Sequence, residues 1–149
     1  MVENIETLVG RNMAGYSATP LIKKLGVKEG YRVALVNSPK NFLKELGDLP
    51  TNAKLTPSTS KSLDFILFFV RSEQDLKRRF LELAANLKPN GMLWIAWPKK
   101  SAGVSTDLSF TNVQRTGLDA GLVDVKICAV NDIWSGLKFV YRLRDRSQK

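Results

Sequence analysis

Trp97-Pro98-Lys99-Lys100, followed a few residues later by Thr106-Asp107, is the stretch of this chain whose residue types best suit holding a ligand. Two adjacent ammonium groups are point charges that match an oxyanion, and a hydroxyl beside a carboxylate can orient it by hydrogen bonding. Arg71 follows one apolar run, and Asn37 and Ser38 follow another, so these three join the loop if the two runs are neighbouring strands. The same residues also have a plainer use. Loops are ordinarily polar and solvated, Thr106-Asp107 can simply precede a helix, and Trp97 at a strand end can pack into the core. The chemistry on offer is binding more than catalysis. The chain contains no histidine, which removes Ser-His and Cys-His triads, most zinc sites and the usual proton carrier near neutral pH. Ser38 stands at a strand-to-helix turn but lacks flanking glycines and a histidine partner, which argues against hydrolase chemistry. Cys128, the one cysteine, lies in the apolar run Val125-Lys126-Ile127-Cys128-Ala129-Val130 and reads as a buried structural thiol. Asp64 opens an apolar strand and reads as structural. No catalytic residue, metal ligand set or cofactor is expected.

The formal charge of +9 admits three kinds of partner: an anionic small molecule, an acidic protein surface, or nucleic acid. It equally fits a soluble protein with a lysine-rich surface. Lys77, Arg78 and Arg79 sit together on a predicted helix, Lys99 and Lys100 follow a strand, and Arg142, Arg144, Arg146 and Lys149 line the tail. Aromatic residues are not interleaved with these clusters as a base-stacking platform requires, so nucleic acid is the weaker choice. The first residues lack a basic segment followed by an apolar one, and no apolar run reaches about 18 residues. The expectation is a cytoplasmic protein with no membrane span.

The elements that must position these residues alternate in type. Residues 1–16 show little period, and Gly10, Arg11, Gly15, Tyr16 and Ser17 could fold over a site. Thr19-Pro20 predicts a helix start, with Thr19 as cap, and Gly26 its end. A strand is predicted over 32–36, then a short helix through Phe42, Leu43 and Leu46 that stops at Gly47. Residues 47–63 are turn-rich, with a short strand near Lys54-Leu55-Thr56. Asp64-Phe65-Ile66-Leu67-Phe68-Phe69-Val70 is apolar throughout after Asp64, as a strand covered on both faces must be. Ser72 and Asp75 open a helix carrying Leu76, Phe80, Leu83 and Leu87 on one face, which Lys88-Pro89-Asn90-Gly91 should terminate. A buried strand at 92–97, a helix at 111–120 and an antiparallel pair at about 123–130 and 137–143 complete the series, with 144–149 left as a basic tail. This order predicts a single α/β domain over 1–149. It should be a three-layer sandwich around a mostly parallel sheet of about six strands, with a C-terminal antiparallel hairpin. Such sheets bind ligands outside the carboxyl ends of their strands. That rim would carry Asn37, Ser38, Arg71, Trp97, Lys99, Lys100, Thr106 and Asp107. The Trp134-Ser135-Gly136 turn is expected farther away, at the sheet edge.

Two stretches resemble class I methyltransferases, whose sheet is Rossmann-like. The lead-in Leu25-Gly26-Val27-Lys28-Glu29-Gly30-Tyr31-Arg32-Val33 is similar to their approach to the cofactor loop. Residues 80–95, through Lys88-Pro89-Asn90-Gly91, resemble their turn into the fifth strand. The loop itself departs from the pattern. Asn37-Ser38-Pro39 stands where glycines would let backbone approach a cofactor, and Lys54-Leu55-Thr56-Pro57 offers no carboxylate for ribose hydroxyls. A closer resemblance is to a small bacterial family with a domain of unknown function, through residues 15–21, 97–108 and 134–137. It implies the fold and no activity. Together these readings predict a non-catalytic binding or regulatory module, with a divergent transferase or a nonspecific nucleic-acid binder as the alternatives.

Overall fold

The computed structural model describes residues 19–148; residues 1–18, which include Gly10, Arg11, Gly15, Tyr16 and Ser17, lie outside the described residues, as does Lys149. Six strands form one sheet: β1 (Arg32–Val36), β2 (Lys54–Leu55), β3 (Leu63–Phe69), β4 (Leu87–Pro98), β5 (Leu122–Ala129) and β6 (Trp134–Tyr141). Their spatial order is β2-β1-β3-β4-β6-β5. The first four run parallel, and β6 and β5 add an antiparallel pair. Among the described residues four α-helices cover it, α1 (Leu21–Leu25), α2 (Phe42–Leu46), α3 (Glu73–Ala85) and α4 (Phe110–Asp119), with short 3-10 helices at Lys100–Ala102 and at Leu143–Gln148, where the sequence predicts a tail.

Strand period places alternate side chains on opposite faces. Ile66 and Phe68 of β3, with Leu93 and Ile95 of β4, pack under Leu76, Phe80 and Leu83 of α3 and Val113 of α4. Phe65, Leu67 and Phe69, with Trp94, pack under Leu25 of α1 and Phe42 and Leu46 of α2. All seven residues of β3 are buried, the signature of a strand covered on both sides. The predicted three-layer α/β sandwich is therefore the one formed. Trp94, fully buried, also donates its indole N–H to the carbonyl of Leu25 at 2.8 Å, tying α1 to the sheet.

Three boundaries differ from expectation. Pro20, not Thr19, occupies the cap position of α1, and its carbonyl accepts from the amides of Lys23 and Lys24. Helix α3 ends at Ala85, before Lys88-Pro89-Asn90-Gly91, and that segment enters β4 instead. Asn86 is the cause. Its side chain donates to the carbonyl of Ser58 at 2.7 Å and accepts from Lys61 at 2.8 Å, and its carbonyl accepts from the amide of Leu63. These bonds pull the chain out of the helix and against β3. Gly91 is then required by close approach, since a Cβ there would lie 2.8 Å from the carbonyl oxygen of Leu63.

The third difference concerns the hairpin. Trp134-Ser135-Gly136 belongs to β6 rather than to a turn, and β6 lies inside the sheet, with Trp134 opposite Pro98. The turn is tighter than predicted because the Asn131 side chain accepts from the amides of both Ile133 and Trp134 at 2.9 Å. Between β2 and β3 the connection carries no helix, in keeping with the turn-rich sequence of 47–63. Asp64 accepts from the Arg32 amide at 2.9 Å and pairs with Lys88 at 3.2 Å, the structural use expected of it. Among the described residues, no helix is long and apolar enough to cross a membrane.

Candidate functional site

The sheet order reverses between β1 and β3: the chain leaves β1 toward β2, and its next strand lies on the other side. Crevices open at such points because the flanking connections diverge to opposite faces. A cleft of about 1050 Å³ lies there. After β1, Asn37 and Pro39 line it. Phe69, Val70, Arg71 and Ser72 follow from the end of β3, with Asp75 of α3. The loop after β4 contributes Val104, Ser105, Thr106 and Asp107, and the hairpin turn contributes Ile133 and Trp134.

The wall is aromatic. Phe69 meets Phe42 edge-on at 4.8 Å between ring centroids and Trp134 edge-on at 5.0 Å, the arrangement that ring quadrupoles favour. Its fixed charges are mostly engaged. Hydrogen bonds from Arg78 and Ser72 hold the Asp75 carboxyl below the usual carboxylate range. Asp107 accepts the amide of Glu73 at 2.8 Å, at the first turn of α3. Thr106 donates to the carbonyl of Arg71 at 2.6 Å and accepts from the amide of Leu108 at 3.1 Å. Arg71 is the one cation of the lining, and among the described residues it forms no ion pair.

Of the residues predicted from sequence, the fold brings Asn37, Arg71, Thr106 and Asp107 to this cleft. Ser38 is exposed beside it, and Trp97 is buried in the core beneath α3 and α4. Lys99 and Lys100 lie where β4 leaves the sheet, outside the lining. Trp134 reaches the cleft because β6 is an inner strand. The signal that could have found it is the Asn131 side chain, which shortens the turn and moves Trp134 into the ladder.

Asn37 modifies one premise of the sequence reading. It adopts φ +56°, the left-handed conformation for which glycine is the usual residue, and asparagine is among the few others that enter it readily. The turn therefore keeps the conformation while adding a side chain, and Pro39 still withholds an N–H. At the end of β2, Leu55-Thr56-Pro57 provides no carboxylate. A nucleoside cofactor would thus find neither open backbone nor a ribose acceptor, and the residues present do not fit S-adenosylmethionine.

One basic cluster outside the cleft, on α3, is neutralised locally. Lys77 pairs with Glu73 at 3.4 Å, Arg78 with Asp75 at 3.1 Å and Arg79 with Glu82 at 3.3 Å, so the basic run of α3 is matched along its own helix. Cys128 is half-buried, not buried, because its strand is the sheet edge; burial pushes its thiol up, against the pull of Lys24 and Lys126. Among the described residues, no group of three or more acidic or cysteine side chains is placed to hold a metal ion.

Comparison with known proteins agrees with the fold. A family described as "Protein of unknown function (DUF3052)" matches residues 40–143. No curated protein matches the chain. Among solved structures, it is similar to a SAM-dependent methyltransferase from Aquifex aeolicus, with TM-score 0.57 and 18% identity over 80% of this chain and 86% of the other. It is similar also to magnesium protoporphyrin IX methyltransferase from Synechocystis PCC 6803 with bound SAM, with TM-score 0.53 and 10% identity over 82% and 74% of the two chains. The fibrillarin of Aeropyrum pernix, bound to S-adenosyl-L-methionine, gives TM-score 0.53 and 13% identity over 85% and 70%. At these identities the likeness is one of fold. The fold is methyltransferase-like.

Proposed function

For a chain that belongs to the DUF3052 family, whose description assigns no activity, we propose a non-catalytic binding or regulatory module on a methyltransferase-like scaffold. Its ligand is a small anion with a flat apolar portion, seated in the rim cleft. One observation carries the reading: Arg71, the cleft's one cation and unpaired among the described residues, lies on the same lining as Phe69 and Trp134. A guanidinium offers directional donors to a carboxylate, sulfonate or phosphate, and the aromatic wall favours a flat apolar body. Thr106 and Asp107 shape the cleft from its far side while bonded to protein. Placement at the switch point of the sheet supports a small molecule over a protein surface.

The test uses 1-anilinonaphthalene-8-sulfonate, a flat apolar anion whose fluorescence rises on binding. Arg71→Ala should weaken its binding about tenfold, the worth of one charge-assisted hydrogen bond. Lys100→Ala, equal in charge change but outside the cleft, should leave binding within about twofold, as surface charges are worth little. Equal losses in both variants would refute the assignment of the cleft. Calorimetric titration with S-adenosylmethionine and S-adenosylhomocysteine separates the alternative: binding near micromolar Kd would favour a divergent transferase instead.

A further inference from the structure

Lys126 and Lys138 stand opposite each other on the β5–β6 ladder. Opposed residues of an antiparallel pair project from the same face, where like charges repel. Leu137 and Phe139, on either side of Lys138, enter the core beneath α3 and α4, so Lys138 turns to the opposite face. There its ammonium reaches the end of α1: a Cβ built on Gly26 would lie 4.0 Å from Nζ. Lys24 of α1 donates to the carbonyl of Ala129 at 3.1 Å, and Lys126 donates to the carbonyl of Lys24 at 2.9 Å. These two bonds draw the helix and the sheet edge together around Lys138. Lys28, just past α1, adds a fourth charge. Burial first, and then the charges of Lys126 and Lys28, push the Lys138 ammonium below the ordinary lysine range.

Among the described residues, nothing acidic is paired with this group, and none of the four lysines forms an ion pair. Asp124, the carboxylate of β5, is held by Gln114 of α4 at 3.2 Å and 3.3 Å. Protection of an exposed sheet edge accounts for Lys126, because lysines there discourage pairing with other chains. It does not account for Lys138, on a strand paired on both sides, nor for the lysines of and after α1.

We propose that Lys24, Lys28, Lys126 and Lys138 form a second binding site, for a compact anion bearing two or more phosphate groups. Lysine binds phosphate as a point charge. Lys24 and Lys126 each spend one N–H on a carbonyl and keep two, and the Lys138 ammonium makes no hydrogen bond among the described residues. A multiply charged anion relieves the repulsion that the bare cluster carries, which a monovalent one would do less well. Among the described residues, the exposed large hydrophobics of this strand pair, Val125 and Ile127, are aliphatic, so a stacked base has no platform there. Lys138 lies four residues along β6 from Trp134, about 13 Å at the rise of a strand, so this site is distinct from the rim cleft.

The experiment titrates inorganic tripolyphosphate into the full chain by calorimetry at about 50 mM salt, where screening is modest. Binding should be lost or weakened about tenfold in Lys138→Gln and in Lys126→Gln, as for one charge-assisted hydrogen bond. Lys126 is exposed on the edge strand, so its variant keeps the test valid even if Lys138→Gln folds poorly. Lys100→Gln, a matched charge change elsewhere, should bind as wild type does. Absence of binding at about 1 mM, or an equal loss in all three variants, would overturn the proposal, the latter showing diffuse attraction to net charge.

Discussion

Removing the bonds of Thr106 and Asp107 tests whether the loop after β4 is a strap built into the fold. Thr106→Val keeps the shape and deletes a 2.6 Å donation to the Arg71 carbonyl and a 3.1 Å acceptance from the Leu108 amide. Two neutral hydrogen bonds are worth roughly 1–3 kcal/mol together, and their exposure puts the expected cost near about 1 kcal/mol. Asp107→Ala deletes the 2.8 Å bond that satisfies an orphan amide in the first turn of α3. Loss of such a cap typically costs about 1 kcal/mol, part of it the attraction between a carboxylate and the helix N-terminus. The two residues act on one segment, so the double variant should lose less than the sum. Urea unfolding followed by circular dichroism reads this directly. At a slope of about 2 kcal/mol/M, each single variant should lower the midpoint by about 0.5 M with the slope unchanged. Midpoints within about 0.15 M of wild type for both would refute the strap, since ~0.3 kcal/mol at that slope is no more than an exposed loop residue is worth.

Gly117→Ala should destabilise by about 1–3 kcal/mol despite the better helix propensity of alanine, because a Cβ there would run into the ring of Phe139, deep in the core; Phe139→Leu in the same chain should recover part of the loss in thermal melts. Lys138→Met should raise stability at pH 7 in the absence of phosphate. The sign follows from the lowered Lys138 value: the unfolded chain holds that proton more tightly, so wild-type stability climbs with pH just below the ordinary lysine value of about 10.4, and the advantage of the variant should vanish there. Trp94→Phe should cost roughly 2–4 kcal/mol in chemical denaturation, since it leaves the Leu25 carbonyl without the indole donor at 2.8 Å and opens a cavity under α1.

Much of the sheet was legible in the chain itself because its signals are local. The unbroken apolar run of β3 can be buried only between two layers, Gly26 and Gly47 end the short helices, and the Ser72 hydroxyl caps α3 by accepting from Asp75 three residues on. The lack of histidine and of a carboxylate after β2 is likewise a property of the sequence alone. Asn37 could have been anticipated, since asparagine is a residue that replaces glycine at positive φ. The early end of α3 could not, because the bonds that stop it come from Ser58 and Lys61, on a different loop.

What only the tertiary structure decided is which residues meet. Asn37, Arg71 and Thr106 share a cleft because β1 and β3 are neighbours and the loop after β4 is bonded back across the rim. Trp134 joins them because β6 inserts beside β4, a matter of strand order that hydrophobic period does not encode. The lysine group at 24, 28, 126 and 138 is assembled from both ends of the chain by the packing of α1 on the hairpin, and no spacing in the sequence announces it. Pattern tells each segment how deeply to bury and when to turn. Which charges then face one another depends on contacts distant in the chain, and those exist only once the sheet has closed its order.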